Sequence, residues 1–345
     1  MGFEGVDVVV NGVRIHAVRG GDGPPVLLLH GFPQSHVMWH RIAPELAREH
    51  TVVAADLRGY GDSDRPEPGA DHAGYSFRAM AADQVGLMAA LGFERFAVVG
   101  HDRGARVAHR MALDHPQRVQ RVALLDILPT AYVYGHVDRR IATAYYHWFF
   151  LVQPADLPER LIGADPVYFL HRCLGGWGSA LDAHPPEALH HYERVFADPA
   201  ARQAMIEDYR AAASVDLDHD TASAAAGERI SVPCLVLWGE RGVVGGNPTS
   251  PLEVWRPLGE PDLVTGGVVL GAGHFLAEEN HTDTLAALQE FLRDGRRCVR
   301  GSREFPMPRR LSRLDRPAAM SSIAASRSFR RSDATARGYP APVTW

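Results

Sequence analysis

The sequence predicts an α/β protein with a mostly parallel, doubly wound sheet, and two observations support this prediction. Short apolar runs alternate with longer stretches of helical periodicity, which is typical of parallel strands connected by helices. Some runs, such as residues 26–29, are apolar at every position, as expected for a strand buried on both faces. The predicted strands span residues 6–10, 13–18, 26–29, 52–55, 96–99, 122–125, 234–237 and 268–270.

The order of turns and helices is consistent with this class. Asn11-Gly12 separates the first two apolar runs and is the strongest short signal for a hairpin. We expect helices over residues 80–91, 142–152 and 199–213.

The β pattern stops after Ile127 and resumes beyond about Asp220. The intervening stretch is rich in His, Tyr and Trp with helix-like runs, so we expect a helical cap inserted after the strand that ends at Asp126. The predicted organisation is a core in two parts, residues 1–126 and 221–295, a cap, residues 127–220, and a basic, disordered tail, residues 296–345.

Charge and composition exclude several classes of function. The formal net charge is −5, but the tail carries +9 and residues 1–295 carry −14, which disfavours nucleic-acid binding by the body of the protein. No apolar run is long enough for a membrane span, and the N-terminus lacks signal-peptide order. The three cysteines have no metal-ligand spacing, so we expect reduced thiols in the cytoplasm.

The chain is organised around Gly100-His101-Asp102-Arg103-Gly104, which follows an apolar run and precedes a helical one. A G-x-nucleophile-x-G pattern between strand and helix is typical of a nucleophile elbow. Here the central residue is Asp102 instead of the usual Ser. A carboxylate can displace a leaving group from a saturated carbon and form an alkyl ester, so this residue sets the reaction class.

Two further residues complete a predicted catalytic triad. His274 lies after the last strand, where the order nucleophile–acid–His requires the base. The acid often stands four residues after the Trp of Trp238-Gly239, but that position is Gly242, and Glu240 is out of pattern. Asp126, at the end of the preceding strand, is the better candidate to orient His274.

Arg103 and Arg106 lie three residues apart at the start of the predicted elbow helix and share a face. Two guanidinium groups beside a nucleophilic carboxylate are suited to hold a small carboxylate substrate through charge-assisted hydrogen bonds. For Arg110, one turn further along, a solvated surface position is the plausible interpretation.

Taken together, these motifs resemble the fluoroacetate (haloacetate) dehalogenases of the α/β-hydrolase superfamily over residues 3–294. The segments that carry the resemblance are His30-Gly31-Phe32-Pro33, Asp102-Arg103-Gly104-Ala105-Arg106, Asp126-Ile127-Leu128-Pro129, Tyr146-His147-Trp148 and Gly273-His274-Phe275. The resemblance implies hydrolysis of a fluoroacetate-like 2-haloacid to the 2-hydroxyacid and halide, with no cofactor and no metal. It also implies a homodimer.

The resemblance assigns roles to residues outside the triad. His147, Trp148 and Tyr209 would donate hydrogen bonds to the departing halide, whereas Tyr145, Phe149 and Phe150 are expected in the core of the cap. The backbone N–H groups of Phe32 and Arg103 would form the oxyanion hole.

Two alternatives remain open at this stage. An epoxide hydrolase would use the same Asp102 nucleophile and a cap tyrosine, Tyr145, Tyr146 or Tyr209, to protonate the epoxide. Such enzymes typically have an aromatic or apolar residue after the nucleophile, where this chain has Arg103. A non-catalytic carboxylate-binding protein on the same scaffold is the second alternative, although an intact triad argues against it.

Overall fold

One eight-stranded sheet forms the centre of the computed structural model, which describes residues 2–293. The strands are β1 (Glu4–Val10), β2 (Val13–Gly20), β3 (Pro25–Leu29), β4 (Thr51–Ala55), β5 (Phe96–His101), β6 (Val119–Leu125), β7 (Cys234–Gly239) and β8 (Val264–Val269). Their spatial order is β1-β2-β4-β3-β5-β6-β7-β8. The pairs β1–β2 and β2–β4 are antiparallel and the others are parallel, so the predicted fold class is confirmed.

Helices connect the strands and cover both faces of the sheet. Within the described residues they are α1 (Ala43–Leu46), α2 (Phe77–Ala90), α3 (Arg103–Asp114), α4 (Thr130–Gly135), α5 (Arg139–Ala144), α6 (Tyr146–Leu151), α7 (Leu157–Ala164), α8 (Pro166–Leu174), α9 (Pro186–Ala197), α10 (Pro199–Ala212), α11 (Val215–Ala225), α12 (Pro251–Trp255), α13 (Leu276–Glu279) and α14 (His281–Arg293). None of these helices is long and apolar enough to cross a bilayer.

The predicted hairpin joins β1 and β2. Val10 pairs with Val13, and the two residues between them, Asn11 and Gly12, have φ angles of 51° and 77°. Left-handed conformations at both central positions are those of a type I′ turn, for which Asn-Gly is the preferred sequence.

The central parallel strands carry the core. Every residue of β4 and β5 is buried, as is all of β3 after its first residue. Since helices cover both faces, the continuous apolar runs that predicted these strands follow directly from their position in the sheet.

Two predicted elements differ most from the structure. The last strand begins at Val264 instead of residue 268 and ends at Val269, because Gly266 and Gly267 lie within the strand. A Cβ at Gly266 would lie 1.9 Å from the carbonyl oxygen of Val236, so this glycine permits a close approach of β7 and β8 and does not form a turn. The predicted helix over residues 142–152 is divided at Tyr145 into α5 and α6.

Eight helices, α4 to α11, occupy the chain between β6 and β7 and are called the cap helices below. They fill the region where the sequence predicts a cap, although the last one extends to Ala225. The division into a core of residues 1–126 and 221–295 and a cap of residues 127–220 stays a prediction. The predicted tail, residues 296–345, lies outside the described residues.

Candidate active site

The nucleophile elbow lies between β5 and α3. Asp102 has a φ angle of 47°, which is unusual for a non-glycine residue and is typical of strain at a functional site. The two flanking glycines permit the turn: a Cβ at Gly100 would lie 2.4 Å from the carbonyl oxygen of Gly104. A Cβ at Gly104 would lie 2.3 Å from that of His30. Both glycines therefore lie where α3 approaches the neighbouring backbone too closely for a larger residue.

The carboxylate of Asp102 is held in an electropositive environment. Its Oδ1 accepts a hydrogen bond from the backbone N–H of Phe32 at 3.1 Å, and its Oδ2 lies 3.7 Å from Nε2 of His274. Burial favours the neutral acid, but the positive charges of His274 and Arg106 outweigh it and lower the pKa of Asp102 to about 2. The residue is therefore ionised at neutral pH, as a nucleophile must be.

His274 and Asp126 form the second part of the predicted triad. Nδ1 of His274 lies 2.6 Å from Oδ2 of Asp126, whose Oδ1 accepts a hydrogen bond from the N–H of Gly239 at 2.9 Å. Burial disfavours the imidazolium, but the hydrogen bond and the charge of Asp126 outweigh it, so the pKa of His274 is raised. Burial also raises the pKa of Asp126. The pair thus orients the imidazole with Nε2 towards Asp102.

The alternative position for the acid, Gly242, lies close to Asp126 in the structure. A Cβ at Gly242 would lie 3.4 Å from both carboxylate oxygens of Asp126, so the two alternative acid positions converge on the same place. Glu240 has a different role, because its Oε2 accepts a hydrogen bond from the N–H of Gly271.

Arg103 is buried and makes an ion pair that the sequence analysis did not predict. Its Nε donates to Oδ2 of Asp208 at 2.8 Å, and its Nη2 donates to Oδ1 and to the backbone oxygen of Asp208. The guanidinium carbon also lies 4.3 Å from the ring centroid of Tyr209 and 4.7 Å from that of Phe77. Burial opposes the charged form, but Asp208 outweighs it and raises the pKa of Arg103.

Arg106 has a different environment. Its Nη1 donates to the backbone oxygen of Leu128 and to Oγ1 of Thr130, both at 2.9 Å, and its guanidinium lies 4.6 Å from the Trp148 ring centroid. Its Nε has no partner among the described residues. Burial lowers the pKa of Arg106. A buried cation hydrogen-bonded only to neutral acceptors is costly, and an anionic ligand would offset that cost.

The surface position suggested for Arg110 is wrong. Arg110 is 2% exposed, and its Nη2 donates to Ser223 of α11 at 2.8 Å. The buried face of α3 extends one turn further than predicted because the last cap helix covers it.

The three predicted halide donors, His147, Trp148 and Tyr209, are brought together by aromatic packing. The Tyr209 ring lies 5.7 Å from the His147 ring and 6.3 Å from the Trp148 ring. All three side chains are at most 3% exposed. Burial lowers the pKa of His147 to about 3, so the imidazole is neutral and can donate through one ring nitrogen.

Phe32 connects this cluster to the nucleophile. Its ring stacks on His147 at 6.2 Å and contacts Tyr209 edge-on at 5.2 Å, while its N–H donates to Asp102. The second predicted oxyanion donor, the N–H of Arg103, belongs to the first residue of α3 and has no intrahelical acceptor. Phe32 therefore contacts both the candidate nucleophile, Asp102, and two of the three candidate halide donors.

Comparisons with known proteins identify the family of the chain. Residues 24–281 match the model of the α/β hydrolase fold family. The chain is 49% identical to a fluoroacetate dehalogenase from Burkholderia over 297 residues, which cover 86% of this chain and 95% of that one. The chain belongs to the fluoroacetate dehalogenase family of α/β hydrolases.

More distant relatives of this dehalogenase-family chain include epoxide hydrolases. A soluble epoxide hydrolase from Corynebacterium is 33% identical, over 79% of this chain and 91% of its own. Among solved structures, an α/β hydrolase from Nostoc is 53% identical with a TM-score of 0.82, covering 85% of this chain and 98% of its own. A Pseudomonas aeruginosa structure named for an epoxide hydrolase is 48% identical with a TM-score of 0.80, covering 87% and 98%.

Sequence reasoning missed Trp177, which contacts both parts of the site. Its ring lies 5.2 Å from the His274 ring and 4.5 Å from the His147 ring, and its indole N–H donates to the backbone oxygen of Ala144. The residue lies between α8 and the next helix with a φ angle of 54°. The glycines on both sides of it are the only local signal that could have indicated it.

One cluster of this hydrolase has the composition of a metal site. Ligand atoms of His16, His36 and Asp56 lie within 4.8 Å of one another. Asp56 already accepts hydrogen bonds from the backbone and the imidazole of His36 and from the N–H of Asp62, and His16 contacts Asp7. These contacts fasten the loops after β3 and β4, and we assign the cluster that structural role.

Proposed function

We propose that the protein hydrolyses the carbon–halogen bond of a small 2-haloacid such as fluoroacetate, giving the 2-hydroxyacid and halide. The observation that carries this proposal is the ionised Asp102 beside two buried arginines, Arg103 and Arg106, at the start of α3. Two cations draw an anionic substrate towards an anionic nucleophile, which an apolar pocket would not do.

In the first half-reaction, an oxygen of Asp102 attacks the carbon that bears the halogen. A carbon–oxygen bond forms, and the halide leaves from the opposite side with the bonding electron pair. His147, Trp148 and Tyr209 would donate hydrogen bonds to the halide as its charge develops. The product is a covalent ester between Asp102 and the 2-carbon of the acid.

In the second half-reaction, Nε2 of His274 takes a proton from water, whose oxygen attacks the carbonyl carbon of the Asp102 ester. The N–H groups of Phe32 and Arg103 would hold the oxyanion. The imidazolium returns its proton to the departing alkoxide oxygen, and the carboxyl group of Asp102 loses the remaining proton.

A single turnover in water labelled with a heavy oxygen isotope tests the order in which these bonds form and break. Because water attacks the ester carbonyl, label enters the carboxylate of Asp102, while the first hydroxyacid formed receives an unlabelled enzyme oxygen. Mass spectrometry of the peptide that contains Asp102 measures the label in the carboxylate, and mass spectrometry of the product measures the label in the hydroxyacid. Label in the first product and none in Asp102 would contradict the proposal.

His274→Asn is expected to stop the reaction at the ester, since alkylation does not need the base. Incubation with fluoroacetate should give a carboxymethyl adduct on Asp102, visible by intact mass. Asp102→Asn serves as the control and should give no adduct. A His274→Asn protein that stays unmodified while folded would rule out the covalent mechanism.

Epoxide hydrolysis is the second candidate, favoured by the 33% identity to the Corynebacterium enzyme. Tyr209 contacts Phe32, whose N–H donates to Asp102, but an uncharged epoxide offers nothing to offset the burial of Arg106. Fluoride release measured beside opening of a small epoxide separates the two activities. A non-catalytic protein would bind carboxylates without turnover of either substrate.

We also propose that the protein is a cytoplasmic homodimer. Large apolar side chains are exposed on neighbouring cap helices, at Leu157 and Leu161 of α7 and Val167 and Tyr168 of α8. Such a patch is suited to a second copy of the chain. Light scattering after chromatography should give a dimer for the native protein and a monomer for Leu161→Asp. The cytoplasmic location is supported by Cys173 and Cys234, which are buried free thiols.

A further inference from the structure

Asp208 is a fully buried carboxylate that the proposed reaction does not use. It lies on cap helix α10 and is 0% exposed. Its Oδ2 accepts hydrogen bonds from Nε of Arg103 at 2.8 Å and from the hydroxyl of Tyr60 at 2.6 Å. Its Oδ1 and its backbone oxygen both accept from Nη2 of Arg103. Asp208 thus accepts four hydrogen bonds, three of them from Arg103, which lies 105 positions away in sequence.

This ion pair makes the two arginines of the site unequal. The Nε–Nη2 edge of Arg103 is occupied by Asp208, and Nη1 is left buried without a partner among residues 2–293. Arg106 has only neutral hydrogen-bond partners, the backbone oxygen of Leu128 and the hydroxyl of Thr130. Arg103 therefore offers a substrate carboxylate its Nη1 group, whereas Arg106 makes no hydrogen bond to a carboxylate of the described residues, although the charge of Asp102 favours its charged form.

The same ion pair fixes the position of a halide donor. Asp208 and Tyr209 are consecutive on α10, and the Tyr209 ring lies 4.3 Å from the guanidinium that Asp208 holds. Arg103 in turn follows Asp102 directly. Arg103 therefore links the proposed nucleophile Asp102, its neighbour in sequence, to Asp208 and to Tyr209, the group proposed to receive the halide.

We propose that Asp208 is a positioning residue that fastens α10 to Arg103 and thereby sets the placement of Tyr209 relative to Asp102, with its largest effect when the leaving group is fluoride. The inference rests on the proposed dehalogenase function. Fluoride is small and strongly hydrated, so its departure depends most on well-placed hydrogen-bond donors. The stabilisation that these donors give falls steeply when they are displaced by a small distance. Chloride depends on them less.

The test compares turnover of fluoroacetate and chloroacetate in Asp208→Asn, which keeps the size of the side chain and removes its charge. The ratio of kcat for fluoroacetate to kcat for chloroacetate should fall about tenfold or more. The KM values should change little, since Arg106 keeps its charge.

Glu207→Gln is the matched control. Glu207 is the preceding residue of α10, is also buried, and pairs with Arg210 and with His72 outside the cap helices. Its hydrogen bonds and ion pairs are to His72, Gln203 and Arg210, and none is to Arg103. This variant should lower the melting temperature without changing the fluoride-to-chloride ratio. An equal fall of the ratio in Glu207→Gln would show a general loosening of the helix and overturn the proposal.

A double-mutant cycle tests whether Asp208 acts through Arg103. In an Arg103→Gln background, Asp208→Asn should no longer change the ratio, because the interaction is already absent. Additive effects would overturn the proposal, as would an unchanged ratio in a folded Asp208→Asn single variant.

A binding measurement separates this inference from the proposed function. Fluoride titration followed by tryptophan fluorescence reports halide binding without turnover. Weaker fluoride binding in Asp208→Asn, but not in Glu207→Gln, supports the positioning role even if the native protein releases no fluoride from fluoroacetate, in which case only the proposed function fails. Equal fluoride affinity in native protein and Asp208→Asn overturns the positioning role even if the native protein is an active dehalogenase.

Discussion

The carboxyl edge of the sheet and the cap helices position their residues by different means. Asp102 and Asp126 directly follow β5 and β6, and each has a positive φ angle that directs its side chain out of the strand. The cap residues His147 and Tyr209 lie on separate helices and are held mainly by ring packing. In the proposed mechanism, backbone geometry therefore positions the residues that form and hydrolyse the ester, whereas side-chain packing positions the proposed halide donors.

The largest expected effect tests the sheet edge. Asp102→Asn removes the nucleophile and should reduce halide release at least about 10⁴-fold for fluoroacetate and chloroacetate alike. Halide-electrode assays measure this, with thermal unfolding as the control for folding. Peptide mass analysis of the same sample excludes reversion of Asn by deamidation. A variant that kept activity with one halogen only would contradict the proposal that the sheet edge forms the ester and the cap sets the leaving-group preference.

A second-site rescue sharpens the geometry of the edge. Asp126→Asn should cost about 10⁴-fold in turnover because His274 loses its orientation and its counter-charge. Adding Gly242→Asp places a carboxylate where a Cβ lies 3.4 Å from the Asp126 oxygens, and about a tenfold recovery is expected. Gly242→Asp alone is the control, and it should give no gain in turnover because its carboxylate repels that of Asp126. A folded double variant without recovery would contradict the convergence of the two acid positions.

In the cap, Tyr209→Phe should slow fluoride release by about 100-fold and chloride release by less than about tenfold, since one donor to the halide is lost. Steady-state rates with both substrates measure the difference. Tyr145→Phe is the matched control, because this buried tyrosine stacks on Trp148 as part of the cap core and should keep its activity. Equal losses with both halogens would argue against halide contact by Tyr209.

The last prediction concerns the effect of pH on the second half-reaction. The raised pKa of His274 means that the imidazole is protonated as the pH falls through that value, so ester hydrolysis slows about tenfold per pH unit below it. Asp102, with a pKa of about 2, stays ionised and continues to be alkylated. Rapid-quench mass analysis should therefore find more ester at pH 5 than at pH 8. The opposite trend would exclude His274 as the base.

The edge of the sheet could be predicted from the sequence because each of its residues follows a recognisable strand. Parallel strands end at one edge, so Asp102, Asp126 and His274 had to lie close together once the strands were identified. No such rule applies to the cap, because its helices are short. Its aromatic residues are as typical of a hydrophobic core as of a functional site. For the cap, the candidate halide donors His147, Trp148 and Tyr209 came from the resemblance to a family and not from the sequence pattern.

The sequence by itself determined the reaction class, through a carboxylate at the elbow, and the fold class, through the alternation of buried strands and helices. Only the tertiary structure decided that Asp208 holds Arg103, that Arg110 is buried and that Trp177 contacts His274. These contacts join residues far apart in the chain, between the cap helices and the rest of the fold. Packing of that kind leaves no local period or motif, because it depends on how two separately formed surfaces meet.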